Sequence, residues 1–439
     1  MGPPRYRSTA RGGIGAELVT DPLSTMRALA AMDEDVIVAR AGGVRLWFVC
    51  DPELARELLA ERADELGRNK LINRLFATIS GTNLFTAEGA DWRWRRQALA
   101  PAFGREQLGT GITDAIRTVE AHVERWPLDR PFDLQDATMD LALAAAISGL
   151  FGRHVTEAQR AEVRQDLATV RDWVQTRSAR PLGVPLAMPT PRNRRVRRAR
   201  ARLRDSVATL IEPCAEHTVT RLVDHLTTVI DPETGQRIDR DSAVSEALVM
   251  LVAGHETTAA AAAWMLHPLA GDHELQHACR AEGHQRCGSE RLGLQALGDL
   301  PLVSGVVAET LRLFPPAWGI PRMSSRPTTS GPHRARRFEP IVIAPAVIHR
   351  RASLFAEPDR FDPGRSDDAG SDAALLPFGL GPRRCIGASF ARAELTALAA
   401  AAVRARALVT SGTATVDPAF ALRLAGVRLT ASEIAAARG

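Results

Sequence analysis

The sequence predicts a mainly α protein with small β-sheets, folded as one large domain. Three observations predict it. Apolar residues recur at three- and four-residue spacing through most of the chain, whereas alternating runs are short and gather toward its two ends. No stretch shifts in composition as a flexible linker would, and no internal repeat is visible. Hydrophobic residues make up 45% and charged residues 24% of the 439, the balance of a chain with a real core.

"DVIVARAGGVRLWFV" (35–49) alternates about Gly42-Gly43 and predicts a hairpin, after which Asp51 caps a helix. Helical stretches follow near 90–100, 107–125, 133–151, 156–174 and 192–214. "SARPLGVPLAMPTP" (178–191) is a proline-broken loop between the last two. A long helix should run from about Asp241 to Leu269 and stop at Gly271. Another covers roughly 297–313 and ends at Pro315-Pro316. Short strands are expected at 341–348 and in "ALRLAGVRLTA" near the C-terminus.

The five cysteines (Cys50, Cys214, Cys279, Cys287, Cys385) are odd in number and scattered, which fits a reducing compartment. "MGPPRYRSTARGGIGAE" has a basic start with no apolar core behind it, so no signal peptide is expected. No uncharged apolar run reaches the roughly 18 residues of a membrane span. The expectation is a cytoplasmic, soluble protein.

The net charge of +5 rests on arginine, since Lys70 is the single lysine. The densest run, "PRNRRVRRARARLRD" (191–205), invites a nucleic-acid reading. Its periodicity favours a solvated helix face, because Val196, Ala199, Leu203, Val207 and Leu210 form a stripe at helical spacing. An anionic partner is the weaker alternative, and nucleic acid is not expected.

Four stretches carry chemistry. "PFGLGPRRCIG" (377–387) sets one cysteine among glycines and arginines before an alanine-rich helix. It is no CxxC pair or zinc site, and no Gly-Lys-Ser/Thr makes it a phosphate loop. "AGHETT" (253–258) interrupts the longest helix with an acid and two threonines. An unpaired Glu256 would be costly to bury, and mid-helix threonines bend a helix, although a solvent-facing Glu is the plainer alternative. In "ETLR", Glu309 and Arg312 share a helix face, alone an ordinary ion pair. In "DWRWRR" (91–96), Trp92 and Arg96 share a face opposite Trp94, alone ordinary packing.

Together the order W-x-x-x-R, A-G-x-E-T-T, E-x-x-R, P-x-R-F, F-G-x-G-x-R-x-C-x-G resembles the haem-thiolate monooxygenases called cytochromes P450, from about residue 25 onward. The resemblance implies the cytochrome P450 fold, a single haem domain over 25–439 with its long helix across the haem. Residues 1–24 would be an extension, expected to be poorly ordered. The implied cofactor is haem b, with dioxygen as co-substrate and Cys385 as axial ligand of the iron. A thiolate ligand favours O–O cleavage by pushing electron density to iron. Phe378 would cover the sulfur, Gly379 would let backbone N–H groups approach it, and the helix opening at Gly387 would point its dipole there.

By the same matching, Trp92, Arg96, Arg322 and Arg383 would hold the haem propionates. Glu256 and Thr257 match the family's acid–alcohol pair, which delivers protons during dioxygen activation, and Gly254 would leave room for dioxygen. Glu309, Arg312 and Arg360 (in "EPDRF") would form the structural triad behind the haem. The implied substrate walls are Leu84, Phe85, the 178–191 loop, Met250, Ala253, Ala317, Trp318 and the hairpin near Phe420. They are mostly apolar, which implies a small apolar organic substrate with a terpenoid, macrolide or aromatic peptide skeleton. With no flavin or iron–sulfur module present, electrons would come from ferredoxin and ferredoxin reductase. These would dock on Arg384, Arg392 and Arg93 or Arg95. Arginine in place of lysine and abundant alanine suggest a high-GC bacterium, and secondary metabolism with it.

The chain departs from the family pattern twice. Arg351 stands where an Asp is common, and "SGPHRARRFEP" (330–340) lacks the usual Gly-Tyr-x-Ile-Pro-x-Gly turn. Radical C–N or C–C coupling stays open beside hydroxylation. A peroxide-driven peroxygenase or a haem sensor would have no use for Glu256 and Thr257. His273 and His277, with His284 or Cys287, could chelate zinc, although a solvated short helix is the plainer reading.

Overall fold

The computed structural model describes residues 2–179, 184–212, 222–228, 230, 235, 237–288, 291–367, 374–418 and 421–434. Two short helices, α1 (Ile14–Thr20) and α2 (Pro22–Ala30), precede the hairpin of β1 (Val36–Ala41) and β2 (Val44–Val49). Gly42 turns that hairpin at φ 56°, the left-handed region that glycine enters freely. Within the segment 1–24, Pro4 and Tyr6 exchange backbone hydrogen bonds with Val38, and Ile14 is fully buried. The next elements are α3 (Pro52–Arg56), α4 (Lys70–Ser80), α5 (Gly89–Leu99), α6 (Arg105–Glu124), β3 (Phe132–Asp133), α7 (Leu134–Phe151), α8 (Glu157–Ala179) and α9 (Pro191–Leu210).

The second half holds α10 (Leu222–Thr228), α11 (Arg240–Gly271), α12 (His273–Cys287), α13 (Leu294–Leu297) and α14 (Pro301–Leu313). Short strands follow: β4 (Ile320–Met323), β5 (Thr328–Ser330), β6 (His333–Ala335) and β7 (Pro340–Ile343). The chain closes with α15 (Pro345–Ile348), α16 (Ala388–Ala405) and the hairpin of β8 (Ala407–Pro418) and β9 (Leu422–Ser432).

Local chemistry explains the helix starts. Asp51, Asp133, Thr190, Asp239 and Asp272 each accept a backbone N–H three residues on, satisfying a donor the helix leaves free. Pro22, Pro52, Pro191 and Pro301 occupy first turns, where a missing N–H costs nothing. Two boundaries differ from the sequence expectation. The strand expected over 341–348 stops at Ile343, because Pro345 cannot donate to the ladder and opens α15 instead. The long helix ends at Gly271 as expected, and Asp272 caps the next one directly. The helix expected to begin at 297 begins at Pro301.

α7 and α11 are buried on nearly every side and pack on each other, so neither has the one-sided pattern of a surface helix. The α9 stripe of Val196, Ala199, Leu203, Val207 and Leu210 is buried as expected. One sheet runs β1-β2-β7-β4, with β2 and β7 parallel through Trp47 opposite Ile341; a second runs β3-β9-β8. Arg351 ties β1 to the following segments, donating to Asp33 at 2.8 Å, Asp35 at 3.0 Å and the Cys50 carbonyl at 3.0 Å. The basic 330–340 segment turns at Gly331 into the β5–β6 hairpin and leaves Phe338 exposed at φ 63°. Among the described residues no three His, Cys, Asp or Glu side chains converge as a metal site, and α12 carries His273 and His277. Among the described residues no helix is long and apolar enough to cross a membrane.

Candidate active site

Three backbone bonds shape the cysteine loop: Gly379 N–H to Leu376 O at 3.0 Å, Arg384 N–H to Gly381 O at 3.1 Å, and Cys385 N–H to Phe378 O at 2.9 Å. Gly379 and Gly381 both adopt φ 69°, and a Cβ on Gly381 would overlap the Leu59 carbonyl. The turn delivers Cys385 just ahead of α16, whose N-cap is Gly387. Cys385 keeps accessible surface, yet burial by the surrounding protein pushes its thiol pKa up. That combination belongs to a side chain lining a concavity. The Gly387 N–H and the charges of Arg96 and Arg384 pull the other way, toward thiolate. Arg392 lies over the Phe378 ring, 5.2 Å from its centre.

Beside this loop the guanidiniums outnumber their partners. Arg383 sits 4.4 Å from the centre of the Trp92 ring and donates to the Ala87 carbonyl at 3.2 Å. Burial pushes Arg322 down to about 10, and Arg383 adds to the shift. Arg68 is pushed down to about 9, first by burial and then by Arg322 and Arg383. Arginine stays protonated in proteins, so these shifts measure the cost of crowding three cations in a desolvated place. Glu88 alone opposes them, and Arg68 Nε has no hydrogen-bond partner among the described residues. Three cations facing one carboxylate suit a dianion, which is what the two propionates of a haem present. The residues therefore fit the group, and Cys385 would offer a soft ligand to its iron.

The sequence expectation missed Arg68, which lies just ahead of α4 with no motif or periodicity around it. Arg96 answers to Cys385 and Arg384 and does not share the cluster of Arg68, Arg322 and Arg383.

Glu246, Met250, Ala253 and Thr257 lie along one stripe of α11, at spacings of four, three and four. Met250 is buried, whereas Ala253 and Thr257 are exposed in the middle of a helix otherwise enclosed. Thr257 Oγ1 donates to the Ala253 carbonyl at 2.6 Å. A Cβ on Gly254 would meet Ala146 and Leu150 of α7 at 3.9 Å, so that position faces α7. Glu256 turns toward Arg171 of α8, 3.9 Å away, and Arg423 of β9. Burial raises its pKa, the two arginines oppose the rise, and its Oε1 makes no hydrogen bond.

Glu246 was also missed, although an acid inside the apolar run "AVSEALVMLVAG" is a legible signal. It is buried, accepts from Leu84 N–H at 2.9 Å and from Arg95 Nη1 at 2.6 Å, and fastens the 81–88 loop to α11. Leu84 is consequently buried, while Phe85 stays exposed beneath Arg68 at 4.0 Å and edge-on to Phe76 at 5.1 Å. Arg95 is committed to Glu246 and Asp91, which removes it from the expected docking face; Arg93, Arg384 and Arg392 are exposed. Ala317 is exposed, and Trp318 packs against the cluster of Met26, Ala346 and Val347. Phe420 lies outside the described residues, as do residues 180–183 of the proline-rich loop.

The structural triad needs a correction. Glu309 receives Arg312 through two hydrogen bonds of 2.7 and 2.8 Å, and its third partner is Arg365 at 3.3 Å. Arg360 is exposed and pairs with Glu357 at 2.8 Å; only its backbone carbonyl meets Arg312, at 3.1 Å. The chain turns between Arg360 and Arg365, so the later arginine points inward. Arg312 also donates to the carbonyls of His349 and Pro358, both at 2.7 Å, which locks this region behind the cysteine loop.

The family model described as Cytochrome P450 matches residues 13–418. Cyclooctat-9-en-7-ol 5-monooxygenase of Streptomyces melanosporofaciens is 32% identical over 394 residues, covering 88% of this chain and 84% of that protein. Pentalenene oxygenase of Streptomyces avermitilis is 28% identical over 391 residues, covering 88% and 86%. Among solved structures, the cytochrome P450DA heme domain superposes with a TM-score of 0.85 at 21% identity, over 99% of this chain and 98% of that one. Fold, family model and relatives agree along nearly the whole chain, and the chain belongs to the cytochrome P450 family.

Proposed function

We propose that this chain is a haem-thiolate monooxygenase that hydroxylates an apolar, terpenoid-like natural product in bacterial secondary metabolism. The prosthetic group is haem b, the compartment is the cytoplasm, and electrons come from a ferredoxin and its reductase. Residues 25–439 act as one haem domain, onto whose first hairpin the preceding segment packs through Pro4, Tyr6 and Ile14. The observation that carries this reading is a desolvated Cys385 in the same loop as Arg383, whose guanidinium shares a desolvated, undercompensated place with Arg68 and Arg322. Relatives named for oxidising an alkenol and pentalenene support the substrate class.

When bound, the haem supplies the redox centre at which dioxygen is reduced and one oxygen atom enters the substrate. The protein's own groups do the rest. Cys385 binds as thiolate, favoured by the Gly387 N–H and by Arg96 and Arg384. Arg68, Arg322 and Arg383 clamp carboxylates, with Trp92 as the platform under Arg383. Thr257 Oγ1 spends its proton on Ala253 O, so its lone pairs are left to hold a water at the open face of α11. Glu256, raised by burial, carries a proton inward from the side of Arg171 and Arg423. Each turnover converts one C–H to C–OH and releases one water, consuming two electrons and two protons. Exposed Arg93, Arg384 and Arg392 offer a small acidic iron–sulfur protein a complementary face.

Two experiments test the reading. Cys385→Ser should abolish the red-shifted Soret band of the ferrous–CO complex, while Cys287→Ser keeps it; the reverse result would overturn the ligand assignment. Thr257→Ala should keep consuming dioxygen while product falls by about 10²–10⁴-fold and hydrogen peroxide rises. Unchanged coupling of electrons to product would remove Thr257 from the proton path.

A further inference from the structure

Beyond α3 the chain winds into a single π-turn, Glu57–Glu61, which the Arg62 N–H closes by donating to the Glu57 carbonyl at 2.8 Å. Turns of this width are rare, occur singly and recur at functional sites. Leu58 and Leu59 are buried, and the backbone of the turn meets the cysteine loop. A Cβ on Gly381 would overlap the Leu59 carbonyl and lie 2.8 Å from the Ala60 Cα, so main chain presses on main chain there. Gly381 also accepts the Arg384 N–H at 3.1 Å, within the turn that presents Cys385.

Arg62 holds the π-turn with its side chain as well. Nη1 donates to Glu57 Oε1 at 2.7 Å and to the Thr329 carbonyl at 3.1 Å. Nη2 donates to Glu65 Oε2 and to the buried Thr328 Oγ1, both at 2.7 Å, and Nε donates to Glu65 Oε1 at 3.2 Å. Thr328 and Thr329 belong to β5, which opens the hairpin where the sequence leaves the family pattern. With its side chain 21% exposed, this guanidinium is shielded in a way that a surface ion pair is not. Past Arg62, Gly67 and Met323 exchange backbone hydrogen bonds at 3.0 and 2.9 Å, which fixes the far end of the segment beside Arg322.

We propose that Arg62 is a positioning residue for Cys385: it locks the π-turn, the turn fixes Gly381, and Gly381 sets where the loop holds the sulfur. The inference rests on the haem-thiolate reading above. A side-chain contact would absorb a small shift by changing rotamer, whereas close-packed main chain passes the shift on. The planar fork of arginine spans two carboxylates and a hydroxyl that the point charge of lysine cannot bridge together. Without it, Glu57 and Glu65 lose the cation they share, and their like charges act to open the turn.

The test uses the full haem-loaded chain and reads the thiolate ligand directly. In Arg62→Ala the ferrous–CO complex should pass from its red-shifted Soret band to the short-wavelength form about ten-fold or more faster than in the parent. Arg62→Lys should fall between the two. Thr328→Val removes one acceptor and leaves both carboxylates paired; its conversion should be about three-fold faster, which keeps the test decisive if Arg62→Ala fails to fold. Resonance Raman of the ferric proteins, held well below unfolding, should show a shifted iron–sulfur stretch in the Arg62 variants. Arg56→Ala, which removes an exposed pair with Glu53 just ahead of the turn, should match the parent in both measurements. Arg62 variants that lose thermal stability yet keep the parental stretch and conversion rate would overturn the proposal, as would an Arg56→Ala variant that converts as fast as Arg62→Ala. A parent with no red-shifted band would overturn the haem-thiolate reading itself, and the inference with it.

Discussion

Glu246 of the central helix and Arg95 of α5 meet at 2.6 Å, both buried, and the same carboxylate accepts the Leu84 N–H at 2.9 Å. One side chain thereby joins α5, α11 and the loop that presents Phe85. Burial raises the Glu246 pKa, and the Leu84 N–H and Arg95 pull it back. Glu246→Ala would leave the Leu84 N–H buried without a partner and Arg95 with Asp91 alone, a loss of about 3 kcal/mol. Glu246→Gln keeps an acceptor for Leu84 and should cost less. Thermal unfolding ranks the two; an Ala variant within about 0.5 kcal/mol of the parent would show that this contact holds nothing together.

Arg365 and Arg360 should separate cleanly. Arg360 is exposed and among the described residues its side chain pairs with Glu357, so Arg360→Ala should unfold at the same denaturant concentration as the parent. Arg365 is buried against Glu309 and donates to the Ala356 carbonyl at 2.5 Å, so Arg365→Ala should cost about 1.5–3 kcal/mol. Denaturant unfolding measures both, and the opposite ranking would restore Arg360 to the triad.

Arg68→Leu should act in opposite directions on the two forms of the protein. In the haem-free chain, removing one of three repelling guanidiniums should leave stability unchanged or raise it. With haem bound, the same change removes a carboxylate partner and should speed haem transfer to an excess of acceptor globin. A haem-free chain that becomes less stable would mean that Arg68 has a structural partner instead.

His349 supplies a pH dependence. Its ring accepts the Leu376 N–H at Nε2 (2.8 Å), so the proton sits on Nδ1 and is donated to the Arg312 carbonyl at 3.0 Å. Burial pushes its pKa down to about 3, against an ordinary value of about 6.5. Between those values the unfolded chain binds a proton that the folded chain refuses. Stability is therefore complete above about pH 6.5 and declines as pH falls toward about 3, by at most about 1.4 kcal/mol per unit. His349→Gln should flatten that part of the profile. An unchanged slope between pH 7 and pH 5 would assign the acid sensitivity elsewhere, His255 being the other histidine pushed down to about 3.

The fold class and the cysteine loop were legible because their signals are local. Caps such as Asp51, Thr190 and Asp239 bond three residues ahead, the Gly379 and Gly381 turn closes within a few residues, and the α9 stripe repeats at helical spacing. Glu309 and Arg312 pair across one helical turn, so their spacing announced them. The strand expected past Ile343 failed at Pro345 for an equally local reason, one that apolar content alone outweighed in the reading.

What the sequence by itself determined is the mainly α class, most of the long helices and their order, the first and last hairpins, and the loop that presents one cysteine at the head of α16. What only the tertiary structure decided is which charges meet. Glu246 lies 151 residues from Arg95 and 162 from Leu84, and Arg365 lies 56 from Glu309. No local pattern encodes such pairs, because a guanidinium on a long flexible stem reaches whichever carboxylate the packing of helices leaves beside it. Arg68, Arg322 and Arg383 come from three separate segments, and their shared desolvation exists only once those segments close around one concavity. Burial is a property of the assembled fold, and burial is what sets these arginines apart from solvated ones.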